Sequence, residues 1–264
     1  MTPLLMLGAG AMGGALIEGW RAAGVFPPDE LIIRDPFPGP VAEAAAKAGA
    51  LLNPPDSALA HARTVLLCVK PQIWRDVAAE VTPWLASGAV IVSIAAGVKS
   101  ADLTREFGKR CVARVMPTTA VAIRQGSASV YADEPEARER AHALFAPVAQ
   151  VVDLLDEKLM HAATAVSGSA PAYLYAFIEA LEAAGLDAGL SADASRTLAR
   201  GTISGAAALL AQSGEDPAEL RRKVTSPGGT TEAALKTLMA EGGLPGLMRE
   251  AVAAAVRRSK ELGA

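Results

Sequence analysis

Gly8, Gly10 and Gly13 form a GxGxxG pattern within GAGAMG, directly after a short apolar run at 4–7. That spacing suits the pyrophosphate of a nucleotide. The first two glycines allow a tight turn and close approach to phosphate oxygens, and the third lets a helix pack against the preceding strand. Ala9, Ala11 and Met12 complete the segment, and the amides at the start of a helix favour negative charge. Near the other end, Ser226-Pro227-Gly228-Gly229-Thr230-Thr231 sets glycine amides and hydroxyls at another helix start, with no basic residue inside it. Such a turn can hold a small carboxylate. It reads equally as an ordinary connection with a glycine stop, Thr231 capping a helix from Glu232.

The dinucleotide leaves two choices open. Asp35 lies about 20 residues past the fingerprint, where an acid bonds the ribose 2′-hydroxyl of NAD. Arg34 beside it suits the 2′-phosphate of NADP. One of the two is then a solvated turn charge; NADP(H) is the preferred reading and NAD(H) the second. Three further segments fall at strand ends, the edge where doubly wound sheets bind ligands. Cys68, Val69, Lys70 and Pro71 offer a lysine for cofactor oxygens or merely a solvated loop. Ala95, Ala96 and Gly97 offer a small surface for a flat nicotinamide or merely a turn, and Met116-Pro117-Thr118-Thr119 is the third.

These residues need a scaffold, and the first half supplies one. Residues 4–8, 31–35, 64–69, 89–94, 111–116 and 127–132 are apolar runs of strand length. Helical stretches at 11–23, stopped near Gly24, and 41–48, ending at Gly49, lie among them. The class is α/β: an N-terminal Rossmann-type doubly wound, mostly parallel sheet, followed by an all-helical C-terminal dimerisation domain. The period changes after Asp156, giving a dinucleotide-binding domain over 1–156 and a helical dimerisation and substrate-binding domain over 157–264. Tyr173, Leu174, Phe177, Ile178 and Leu181 share a helix face, with Pro171 in its first turn and Gly185 as its stop. Helices follow at 192–212, 217–224 with Asp216 as cap, 232–240 and 245–262. This half has many alanines and few large apolar side chains, so its missing burial is expected from a second copy of the chain.

With 51% apolar residues the chain fills real cores, and a net charge of −3 gives no basic excess for nucleic acid or an anionic membrane. No apolar run reaches the ~20 residues of a membrane span. The amino terminus lacks the positive start of a signal peptide. The protein is therefore expected in the cytoplasm. Cys68 and Cys111 read as free buried thiols, and His61, His142 and His161 are too scattered for a metal site.

Taken together, the motifs resemble those of the pyrroline-5-carboxylate reductases over nearly the whole chain. The resemblance rests on GAGAMGGA at 8–15, VKPQ at 69–72, AAG at 95–97 and RVMP at 114–117. SGSAPAY at 167–173 and VTSPGGTTEAAL at 224–235 complete it. It implies reduction of 1-pyrroline-5-carboxylate to L-proline by hydride from NADPH or NADH, the last step of proline synthesis. It also implies a homodimer of intertwined helical domains that can build a larger ring. Carried over, Ser226, Gly229 and Thr230 bind the substrate carboxylate, Thr231 hydrogen-bonds the ring nitrogen, and Val224 lines the pocket.

Four positions depart from the family pattern. Thr118 and Ala120 replace an asparagine and a proline, Ala170 replaces a glycine, and a cofactor-contacting asparagine is missing near Asp56 and Ser57. Three rivals remain. A β-hydroxyacid dehydrogenase needs a catalytic lysine, and Lys158, Lys223, Lys236 and Lys260 lie in no such motif. The others are a non-catalytic dinucleotide-binding regulator and a reductase of a related cyclic imine.

Overall fold

The structure is a computed structural model that describes residues 1–262. Eight strands form one sheet: β1 (Leu4–Leu7), β2 (Leu31–Arg34), β3 (Leu51–Leu52), β4 (Thr64–Leu67), β5 (Val90–Ser93), β6 (Val112–Pro117), β7 (Gly126–Ala132) and β8 (Ala149–Asp153). Their order is β3-β2-β1-β4-β5-β6-β7-β8, and every pair is parallel except β6–β7. The apolar runs dictate this arrangement, since a strand buried on both faces has no reason to alternate with polar residues. In β1, Leu4 and Met6 pack with Leu16, Trp20 and Phe145, while Leu5 and Leu7 face Trp74 and Phe107 on the other side. The chain reverses direction across the sheet between β1 and β4, which opens a crevice at their carboxyl ends.

Five helices cover this sheet: α1 (Ala11–Ala23), α2 (Pro40–Lys47), α3 (Trp74–Val81), α4 (Ser100–Glu106) and α5 (Pro135–Phe145). Gly24 closes α1 in the left-handed region at φ 62°, where only glycine is unstrained. Gly19 sits so close to the Val121 carbonyl that any side chain would clash, which seats the turn Thr119–Ile123 directly on α1. The Trp20 indole donates to the Leu144 carbonyl at 2.7 Å and ties α1 to α5.

Asp156 accepts the Lys158 amide at 2.8 Å and starts the helical part of the chain. After α6 (Met160–Ala163) and a π-helical turn at Thr164–Gly168 come α7 (Ala170–Asp187), α8 (Ala192–Ser213), α9 (Pro217–Lys223), α10 (Thr230–Leu238) and α11 (Leu244–Leu262). Two compact units result. The first spans Met1–Gly168 and takes in α11 from Ala255 onward; the second is Ser169–Ala254.

Within the second unit, two expectations need correction. Gly185 does not stop α7; it lies inside it, where the absent side chain makes room for the Ser195 hydroxyl of α8. Thr231 is not the cap of α10, because Gly229 takes that position and Thr230 begins the helix. Asp216 does cap α9, accepting the Ala218 amide at 2.7 Å. Among the described residues of this unit, only Ser195 and Ala199 are buried.

Candidate active site

The crevice at the switch point is a cavity of about 570 Å³. Gly8 and Gly10 line it from the fingerprint, Arg34 and Asp35 from the end of β2, and Cys68, Val69 and Lys70 from the end of β4. Gly8 stands at φ +91°, and a Cβ there would meet Val69 Cγ1 at 3.0 Å. A Cβ on Gly13 would lie 2.5 Å from the Gly8 carbonyl oxygen, so the third glycine sets the close packing of helix on strand. Gly10 caps α1 and has open space where its Cβ would be. That open cradle at a helix start fits a dinucleotide pyrophosphate.

Ala9 and Ala11 line a neighbouring cavity of about 390 Å³ against Phe37 and Val41. Met12 is partly buried against the core, and Pro71 is half-buried beyond Lys70. Ala95, Ala96 and Gly97 follow β5, which pairs directly with β4, so they share the same sheet edge. Gly97 is left-handed at φ 80°. Burial pushes the Cys68 thiol far up, which keeps it protonated and unreactive.

The charged pair at the end of β2 is already engaged. Asp35 Oδ2 accepts the Ala9 amide at 2.7 Å, and Oδ1 accepts that of Phe37 at 2.8 Å. Arg34 donates to the Pro54 carbonyl at 2.9 Å and pairs with Asp56. An asparagine lines the cavity just after β3, three residues before Asp56. This residue, Asn53, is left-handed at φ 47° and exchanges hydrogen bonds of 2.9 and 2.7 Å with the Asp35 backbone. It precedes two prolines, and asparagine's tolerance of that conformation was the available signal. Phe37, Ile73, Val77 and Glu80 also line the wall and were missed, because nothing in their spacing marks them.

Thr118 closes the connection between β6 and β7. Its amide donates to the Ser127 carbonyl at 2.9 Å and its hydroxyl accepts the Ser127 amide at 3.0 Å. Gly168 of the SGSAPAY segment rests on Met116, where a Cβ would approach the sulfur to 3.2 Å.

The second glycine turn belongs to the helical unit. Val224 ends α9 largely exposed. Gly229 donates to the Ser226 carbonyl at 3.1 Å, and a Cβ on Gly229 would meet the Ser226 hydroxyl at 2.6 Å. The Gly228 amide is occupied by the Glu232 carboxylate at 2.7 Å. The first turn of α10 leaves the Thr230 and Thr231 amides without helical acceptors, and their hydroxyls stand on the same turn. The turn thus sets helix-start amides beside two hydroxyls, with the Glu232 carboxylate already holding the Gly228 amide.

Residues 157–262 match the family description "Pyrroline-5-carboxylate reductase dimerisation", and residues 4–97 match "NADP oxidoreductase coenzyme F420-dependent". A pyrroline-5-carboxylate reductase of Pseudomonas aeruginosa is 40% identical, covering 99% of this chain and 97% of its own. The chain belongs to the pyrroline-5-carboxylate reductases. A solved family member from Coxiella burnetii superposes with a TM-score of 0.90 at 29% identity, covering 100% of this chain and 99% of its own. One from Plasmodium falciparum, solved with NADP bound, gives 0.86 at 28%, with 100% and 98% covered. Members of this family are oxidoreductases that use NAD(P)H, which agrees with the Rossmann-type sheet. No described helix is long and apolar enough to cross a membrane.

Proposed function

We propose that this protein reduces 1-pyrroline-5-carboxylate to L-proline with NADPH or NADH, the last step of proline biosynthesis. The observation that carries this reading is one chain holding both a fitted pyrophosphate cradle and a glycine turn with open helix-start amides. Residues 1–156 are the dinucleotide-binding domain, and residues 157–264 serve dimerisation and substrate binding. Bound nicotinamide supplies the hydride.

Gly8, Ala9, Gly10, Ala11, Met12 and Gly13 accommodate the pyrophosphate, and Arg34 and Asp35 meet the adenosine ribose. Cys68, Val69, Lys70 and Pro71 with Ala95, Ala96 and Gly97 flank the nicotinamide half along the sheet edge. Ser226, Gly229 and Thr230 receive the substrate carboxylate, Val224 lines the pocket, and Thr231 hydrogen-bonds the ring nitrogen. A cyclic imine that arrives protonated accepts hydride without a dedicated acid, so the residues serve mainly to position it. Thr231 orients and polarises; it is not an acid. The working form is a homodimer, able to build a larger ring, in the cytoplasm and without membrane or nucleic acid as partner.

The decisive experiment follows NADPH absorbance with 1-pyrroline-5-carboxylate, then with NADH. Turnover with proline as product is expected, declining at alkaline pH as the neutral imine takes over. Nucleotide binding without turnover would instead mark a regulator.

A further inference from the structure

We propose that Asp56 and Glu80 tune the discrimination between 2′-phosphorylated and unphosphorylated nucleotides by sharing the charge of Arg34. The inference rests on the nucleotide reading of the cavity at the switch point. Arg34 and Glu80 both line that cavity, and Asp56 pairs with Arg34 without lining it. The Arg34 side chain is largely withdrawn from solvent, with an exposure of 22%. One of its nitrogens donates to the Pro54 carbonyl at 2.9 Å; another pairs with the Asp56 carboxylate and lies 3.9 Å from Glu80 Oε1. Asp35 adds a second carboxylate to the cavity wall.

A guanidinium has five N–H donors, so the Pro54 and Asp56 bonds leave donors for a ligand. What they reduce is its net field. A 2′-phosphate entering beside Arg34 meets a cation already offset by Asp56 and is repelled by Glu80 and Asp35. An unphosphorylated ribose brings no charge to that spot and is indifferent to the offset. The two acids therefore weaken the grip on the phosphate selectively. Asp56 acts through Arg34 and is a positioning residue, while Glu80 acts directly from the wall.

Isothermal titration of the full-length protein with 2′,5′-ADP and with 5′-AMP tests this. Asp56→Asn keeps an acceptor for Arg34 and removes only the charge. It should tighten 2′,5′-ADP by about threefold to tenfold, the scale of one screened charge pair near a surface. Binding of 5′-AMP should change by less than about twofold on the same grounds. Unchanged or weaker 2′,5′-ADP binding, or an equal change for both nucleotides, overturns the inference. If Asp56→Asn does not fold, Glu80→Gln decides by the same criteria. Failure of both nucleotides to bind the unaltered protein would remove the nucleotide reading itself, and this inference with it.

Discussion

The Glu157 carboxylate meets the buried Arg114 guanidinium at 2.9 Å, fastening the first helical turn after the sheet to strand β6. The same oxygen accepts the Ser100 amide at 2.6 Å and its hydroxyl at 2.8 Å. Burial pushes this carboxyl up, but the Ser100 amide and Arg114 outweigh it and hold it below the usual range. A carboxyl whose folded pKa is lowered contributes stability in full above about pH 4.3, the ordinary glutamate value, and loses it as pH falls through the folded value. Glu157→Gln should cost about 1–3 kcal/mol near neutrality. Urea denaturation at pH 7 and in increasingly acid buffer should show the gap to the parent closing. A gap that stays constant would refute the pairing.

Gly185→Ala sets two effects against each other. Alanine in a helix interior is favoured over glycine by about 1 kcal/mol. The new methyl group, however, falls on the Ser195 hydroxyl, which donates to the Glu182 carbonyl at 2.6 Å. Overpacking of about 1–3 kcal/mol should win. Thermal melts at one protein concentration should show a lower Tm, partly restored by adding Ser195→Ala. A Tm raised by the single change would mean the two helices are free to separate.

Arg34→Ala should weaken NADPH far more than NADH. Hydrogen bonds to a charged group contribute about 1.5–3 kcal/mol, or roughly tenfold to 150-fold in affinity. Fluorescence titration with both cofactors measures the ratio; equal losses would hand the discrimination to Asp35.

Thr231→Ala should reduce turnover by about tenfold or more, the scale of one lost hydrogen bond to a charged group. Its effect on Tm should be small, because Gly229 and not Thr231 occupies the cap of α10. Steady-state rates beside melting curves separate the two, and undiminished kcat would strip Thr231 of its role.

The scaffold was readable wherever apolar runs were long and doubly buried. Strands β1, β2, β4, β5, β6 and β7 all fall on runs picked out by composition, and α1 has the predicted bounds. The two-residue β3 carries too little pattern, and β8 and α5 mix exposed and charged residues that blur any period. Gly185 misled because a glycine late in a helix looks the same whether it ends the helix or admits a neighbour. At the cavity, the fingerprint and the two charges after β2 were visible in the chain. Asn53, Asp56 and Glu80 were not, since their partners Asp35 and Arg34 are distant in sequence and meet them only when the sheet closes.

The second unit hides almost nothing of itself: Tyr175, Leu198, Leu209 and Leu247 all stand open. If a second copy covers them, as proposed, the native state of that half is second order in chain, so its melting temperature must climb with concentration. Newly made chains, still scarce, would then carry a finished sheet beside loose helices. The rate at which two chains meet, and not the rate at which either collapses, would govern how soon the protein matures.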